Sequence, residues 1–334
     1  MSSSKAVVRA ETRAMGEYPG STGRSWHLPV DFIFRKMASA AAFLVATVLF
    51  ATVIAIAYDS RTAIAKFGVL GFLTSNQWDP VTQIFGAVPF IAGTLISSTI
   101  AMLLAVPVSF GIAVFIAEVA PSWIKKPIAA AIELLAAIPS IVYGLWGLLV
   151  FAPVFSQAEP WISDHLGSIP GIGLLFQGPP IGIGMLTAGI VLAIMILPYI
   201  SSIMRDVFIA VPSPLRESAY AMGCTTWEVA WSIILPYTSS AVVGGIFLGL
   251  GRAIGETMAV TFVIGNSDMI SSSLLMPSTT IPSVIANEFT EATTRLYLSS
   301  LIYLGLILIV ITLIVRFLAV FLLRRVNRLQ GVKA

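Results

Sequence analysis

Six long stretches of the chain contain no Asp, Glu, Lys or Arg: Met37–Tyr58, Pro80–Ala117, Leu134–Ala158, Leu166–Met204, Val229–Gly251 and Leu296–Val315. A helix that crosses the hydrocarbon of a bilayer needs about 20 mostly apolar residues, so each stretch predicts one spanning helix. The second and fourth are too long for a single crossing at about 1.5 Å per residue. Their Pro- and Gly-rich leading parts, Phe85–Pro89 and Pro170–Gly184, are therefore expected as interfacial or re-entrant pieces outside the hydrocarbon. The predicted spans are 37–58, 89–115, 130–153, 183–204, 240–263 and 297–321. Continuous apolar runs such as Leu304–Val315 favour helices over a barrel, whose strands alternate. The expected fold is an all-α integral membrane protein with six transmembrane helices over 37–323. A flexible tail is expected over 1–36 and a second tail over 324–334.

Composition removes the other classes. Of 334 residues, 57% are apolar and 10% charged, against about 25% charged in soluble domains. A net charge of +3 with no basic cluster does not suit nucleic acid. Cys224 is alone, so no internal disulfide framework exists, and with two histidines it offers no structural zinc set; no metal site is expected. Cys224 reads as a small packing residue.

Orientation follows from Lys and Arg, which are retained on the cytoplasmic side. Fifteen fall on one set of loops and ends: Lys5, Arg9, Arg13, Arg24, Arg35, Lys36, Lys125, Lys126, Arg205, Arg216, Arg316, Arg324, Arg325, Arg328 and Lys333. Only Arg61, Lys66 and Arg295 fall on the other. Both termini are expected in the cytoplasm.

The chain lacks the means to drive chemistry itself. There is no G-x-x-x-x-G-K-[ST] loop for ATP, no H-E-x-x-H and no G-x-S-x-G, and His27 and His165 read as loop residues. No catalytic residue is assigned, and enzymatic activity is not expected of this chain alone.

Between the fourth and fifth spans, Arg205–Pro236 reads as a helix–turn–helix projection. Pro212 and Pro214 break the preceding helix, Ser213 is a candidate cap, and Gly223 ends a short helix over Leu215–Met222. A second helical run, Thr225–Ile234, leads to Pro236. A projection of this kind suits a groove on another protein.

Charges inside spans are costly and usually functional. Arg252 and Glu256 lie in GLGRAIGETMAV, four residues apart, which predicts an ion pair on one face of the fifth span. The spacings Gly245/Gly249 and Gly251/Gly255 are small-xxx-small patterns that admit close helix approach, placing this span at the bundle centre. Arg252 would present positive charge to a passing anion while Glu256 orients it, since a guanidinium stays charged and offers paired donors to oxyanions. Glu133 is expected to pair with Lys125 or Lys126. Pro139 and Pro198 are expected to kink spans three and four, and Tyr58, Trp78 and Trp161 to anchor span ends at the interface.

The projection resembles the EAA loop of permease subunits of bacterial ABC importers. Glu217, Ala219, Gly223, Ile233, Leu235 and Pro236 fall at the family spacing, with Ser218 in place of the usual Ala. More of the chain, about residues 67–325, resembles the permease subunits of phosphate importers of type I. FLTSNQWDP, FGAVPFIAGTLISS, IPSIVYGLWGL and GRAIGETMAV occur in that order. The resemblance implies a phosphate pathway carrying Arg252 and Glu256, and a coupling loop that docks on an ATPase. The implied partners are a second permease subunit (PstA-like), two copies of an ATPase (PstB-like), an extracytoplasmic phosphate-binding protein (PstS-like) and the bilayer. No cofactor is expected in this chain, ATP and Mg being held by the ATPase. It also implies the bacterial inner membrane and alternating access, with phosphate delivered to loops that include Asn266–Arg295. Rival readings are a permease for sulfate or molybdate, a secondary transporter using Glu256 as a proton relay, and a subunit that senses phosphate without carrying it.

Overall fold

The computed structural model describes the backbone over residues 29–329 and side chains over 32–325. Among the described residues, six helical segments are long and apolar enough to cross a membrane: Phe32–Asp59, Val88–Val119, Ser140–Leu166, Met185–Ile209, Thr226–Ile254 and Arg295–Arg325, spans one to six. Among the described residues there is no strand, only two isolated bridges.

The chain forms two units, Met1–Ile54 and Ala55–Ala334. The described part of the first belongs to a helix running Pro29–Asp59. Thr47 and Thr52 turn their hydroxyls onto the carbonyls of Phe43 and Val48 at 2.8 Å. Such polar groups are satisfied inside the helix, as lipid requires. The helix starts at Pro29, so Arg35 and Lys36 are helical rather than part of a tail; long basic side chains can run along a helix toward water. The remaining tail residues 1–28, with His27, and residues 330–334 lie outside the described residues.

In the second unit, span four is the most buried of the spans and packs most extensively on span two. Span five, expected at the centre, is less buried. The glycine spacing nonetheless works on one side. A Cβ on Gly245 would stand 2.8 Å from Ile203 Cγ2, and one on Gly249 would stand 2.7 Å from Ile200 Cδ1, both side chains of span four. Gly251 has no such neighbour within 4 Å.

Span three differs most from expectation. The helix Ser122–Ala136 ends before Pro139, and a new helix starts at Ser140 and continues through a π turn, Gly147–Phe151, to Leu166. Pro139 has no N–H to continue the first helix and disfavours helical backbone before it, so it separates two helices instead of bending one. Helix Ala152–Leu166 consequently holds His165, whose ring stacks on Trp161 with centroids 4.4 Å apart.

Irregular segments brace the spans at one end of this unit. The Leu274 N–H reaches the Leu175 carbonyl at 2.8 Å, and the N–H groups of Met185 and Leu186, opening span four, reach the Met276 and Leu274 carbonyls at 3.2 and 2.7 Å. Ile281 N–H donates to Thr94 Oγ1 of span two at 2.9 Å. Gly93 lies against this segment, and any Cβ there would fall on the Thr279 carbonyl oxygen. Glu159, 1% exposed, accepts the Gly182 N–H at 2.9 Å, holding the segment before span four onto span three. Trp78 is 8% exposed and packs edge-on against Phe85 and Phe90, so it is a core residue and not an interfacial anchor. Its Nε1 and the Tyr297 hydroxyl both donate to Glu288, at 2.9 and 2.6 Å.

Span six belongs to one helix, Arg295–Leu329, so the first residues of the expected C-terminal tail are helical.

Candidate functional site

Span five is not one helix through the expected 240–263. The segment Leu235–Ile254 ends at Gly255, and a separate short helix runs Met258–Val263. Gly255 and the residues after it interrupt the i, i+4 register on which a pair between Arg252 and Glu256 depends. Among the described residues, no ion pair joins them. Glu256 Oε1 accepts the Ala259 N–H at 3.3 Å, satisfying a free donor of the short helix. The Arg252 guanidinium lies over the Tyr199 ring of span four, 5.7 Å from its centroid. No carboxylate among the described residues comes within ion-pair distance of it.

Arg252 belongs to a distinct face of the helix. Gly244, Leu248 and Gly251 recur along it at helical spacing; Leu248 is 59% exposed, and both Gly244 and Gly251 have open space where a Cβ would stand. The opposite face, with Gly245, Gly249 and Ala253, packs inward. Arg252 is exposed and, among the described residues, stands beside Gly244 and Gly251, where a Cβ would meet nothing within 4 Å.

The hairpin forms from local signals. Helix Ser213–Ala221 has Pro212 at its N-cap, so Ser213 is its first residue rather than the expected cap. The turn passes through Gly223 at φ +89°, a conformation costly for a residue with a Cβ. Thr225 and Glu228 form a reciprocal capping box for the next helix. That helix does not stop before Pro236. A π turn over Ala230–Ile234 carries it into Leu235–Ile254, where Pro236 occupies the first turn of the segment. Glu217, Ser218 and Gly223 are exposed, while Ala219 is buried and Ile233 and Leu235 are half-buried against the main core. Cys224 also packs partly against that core.

Charged contacts at this end were not legible in the sequence. Arg216 pairs with Glu118, Tyr220 donates to the same carboxylate, and Glu133 pairs with Arg205 rather than with Lys125 or Lys126. Lys125 instead donates to the Ala117 carbonyl at 3.0 Å. One signal was available for Glu118: it is the first charge after a long apolar run.

Among the described residues, six helices long and apolar enough to cross a membrane, with an exposed turn between spans four and five, define a multi-pass membrane protein. Residues 109–328 match the family described as binding-protein-dependent transport system inner membrane component, and the chain belongs to it. It is 54% identical over 302 residues to the phosphate transport system permease protein PstC of Xylella fastidiosa strain 9a5c, covering 90% of this chain and 93% of the relative. The protein of the same name from Pasteurella multocida is 50% identical over 328 residues, covering 98% of this chain and all of that one. A solved bacterial alginate ABC transporter, crystallised with a pentasaccharide-bound periplasmic protein, contains a chain of the same fold. It aligns with a TM-score of 0.60 at 18% identity, covering 91% of this chain and 98% of that one.

Proposed function

We propose that the chain is the permease subunit of an ATP-driven importer of inorganic phosphate in the bacterial inner membrane. The observation that carries the substrate is Arg252, an exposed cation without a carboxylate partner among the described residues, beside Gly244 and Gly251 of span five. Identity of 50–54% to relatives named for phosphate transport supports it. In this reading a second permease subunit faces span five, and phosphate passes between the two. Arg252 lowers the cost of a multiply charged anion in the membrane, and an open site without a complete cage of donors permits release. Glu256 caps the short helix after the break and so fixes the backbone beside Arg252 instead of neutralising it.

Both termini and the hairpin face the cytoplasm, as the Lys and Arg distribution favours. The exposed Glu217, Ser218 and Gly223 then meet an ATPase subunit, which holds ATP and Mg, and a binding protein delivers phosphate at the opposite end. ATP-driven movement of the hairpin shifts the spans between two states open to opposite sides.

The test is uptake of radiolabelled phosphate at micromolar concentration by cells lacking the gene. Complementation with wild type restores uptake, Arg252→Ala at equal membrane level does not, and excess sulfate or molybdate leaves it unchanged. Competition by sulfate or molybdate, with weak phosphate uptake, assigns the chain to another oxyanion. Uptake that collapses with the proton gradient while ATP is maintained identifies a secondary transporter.

A further inference from the structure

On the reading of the chain as an ATP-coupled permease, we infer that Glu118 is a positioning residue through which movement of the hairpin is transmitted to span two.

Glu118 sits in the π turn Phe115–Val119 that ends span two, a turn closed by the Ala120 N–H on the Phe115 carbonyl at 2.7 Å. Its side chain is 5% exposed. Both groups that hold the carboxylate come from the first hairpin helix. Arg216 Nη1 lies 3.1 Å from Oε1, an ion pair without hydrogen-bond alignment, and the Tyr220 hydroxyl donates to Oε2 at 3.1 Å. Residues 216 and 220 are four apart, so one face of that helix grips a single carboxylate. The neighbouring Glu217 and Ser218 are exposed on the same helix. A helix of nine residues therefore presents one surface to the outside and holds span two with another.

Arg216 reaches a second element. Its Nη2 donates to the carbonyl of Phe208 in the last turn of span four, which also accepts the Val211 N–H at 3.2 Å. One guanidinium thus bridges the ends of spans two and four. These spans pack most extensively on each other in the second unit. Spans four and five are joined to the hairpin by the chain itself, span four through residues 210–212 and span five through the π turn Ala230–Ile234, whereas span two is not. A displacement of the hairpin acts on spans four and five through the backbone, since only residues 210–212 separate its first helix from span four, and on span two through Glu118. At 5% and 17% side-chain exposure, water screens this ion pair poorly, so it yields little when pulled.

The complete complex in proteoliposomes, with phosphate-loaded binding protein and the ATPase, provides the test. The quantity read is ATP hydrolysed per phosphate transported. In Glu118→Gln, hydrolysis is expected within about twofold of wild type and transport about tenfold lower, so the ratio rises about tenfold, or about 1.4 kcal/mol of coupling. Tyr220 is 39% exposed, and loss of its hydroxyl does not threaten folding. Tyr220→Phe is expected to raise the ratio about two- to threefold. It decides the question if the Gln variant does not assemble. A ratio unchanged in Tyr220→Phe, or hydrolysis and transport falling in equal proportion in Glu118→Gln, overturns the assignment, because loss of folded complex lowers both together. A wild-type complex that moves no phosphate, or moves it without ATP, instead fails the permease reading, and does so before any variant is compared.

Discussion

Arg205, 8% exposed, places Nη2 3.0 Å from Glu133 Oε1 and 2.7 Å from Asp206 Oδ1. One guanidinium therefore ties the end of span four to the Ser122–Ala136 helix while keeping a carboxylate of its own span. The two carboxylates are 62% and 65% exposed, so each alone contributes modestly. Glu133→Gln is expected to cost under about 1 kcal/mol, because Asp206 still compensates the buried cation. Glu133→Gln combined with Asp206→Asn strands that cation and is expected to cost about 3–5 kcal/mol. Thermal unfolding of the detergent-solubilised protein measures both, and additive effects would refute the shared-cation account.

The two faces of span five predict opposite responses to a single methyl group. Gly249→Ala presses on the buried Ile200 side chain and is expected to destabilise by about 1–3 kcal/mol. Gly251→Ala meets nothing within 4 Å among the described residues and gains helix propensity. Its folding stability is expected to hold or rise. Phosphate uptake by Gly251→Ala, with membrane level measured beside it, reports whether this face is used: reduced uptake at normal level supports a pathway beside Arg252, and unchanged uptake argues against one.

Ser299 joins three elements through one hydroxyl. It donates to the Asp59 carbonyl at 2.6 Å and accepts the Ala63 N–H at 3.1 Å, at 3% exposure. Ser299→Ala leaves a backbone donor and a backbone acceptor without this partner and is expected to cost about 1–3 kcal/mol. The melting temperature in detergent should fall accordingly, and an unchanged value would mean that water replaces the hydroxyl.

Asp268 lines a cavity of about 620 Å³ with Asn76, Trp78, Asp79 and Thr82. Burial first, and then the charge of Glu288, raise its pKa to about 6. Burial also raises Glu288, against the lowering effect of the hydrogen bonds from Tyr297 and Trp78. A carboxyl whose pKa is higher folded than unfolded binds protons more tightly when folded. Its contribution is fully present below the unfolded value of 3.8 and is lost as pH rises through about 6. Hydrogen exchange of residues 265–280, corrected for intrinsic rates, should therefore show greater protection at pH 5 than at pH 7.5. Asp268→Asn should remove most of that difference. Equal pH dependence in both proteins would place the titration elsewhere.

The sequence carried the helices further than the contacts between them. Charge-free runs located six spans because lipid excludes charge from long segments, and Gly223 marked the hairpin turn because a helix-ending glycine is a local signal, whereas the cap forms at Thr225 and not at the expected Ser213. Pro139 was harder, since a proline within an apolar run can bend a helix or divide it, and packing decides. The break at Gly255 was hidden for a related reason: glycines at regular spacing suit close packing, and one of them ended the helix instead. Glu118 and Tyr220 are 102 positions apart, and Glu133 and Arg205 are 72 apart. Pairing over such distances leaves no local pattern, so the nearby Lys125 and Lys126 were the visible but wrong partners for Glu133.

The backbone bonds that tie 274–281 to Leu175, Met185, Leu186 and Thr94 have a mechanical consequence. An irregular segment ordinarily lends compliance, but here it is fastened to the starts of spans two and four and behaves as a strut. Those two ends move as one piece. At their other ends the same two spans are joined through a single side chain, Arg216, which touches Glu118 of one and the Phe208 carbonyl of the other, so relative motion between them is concentrated on that one contact.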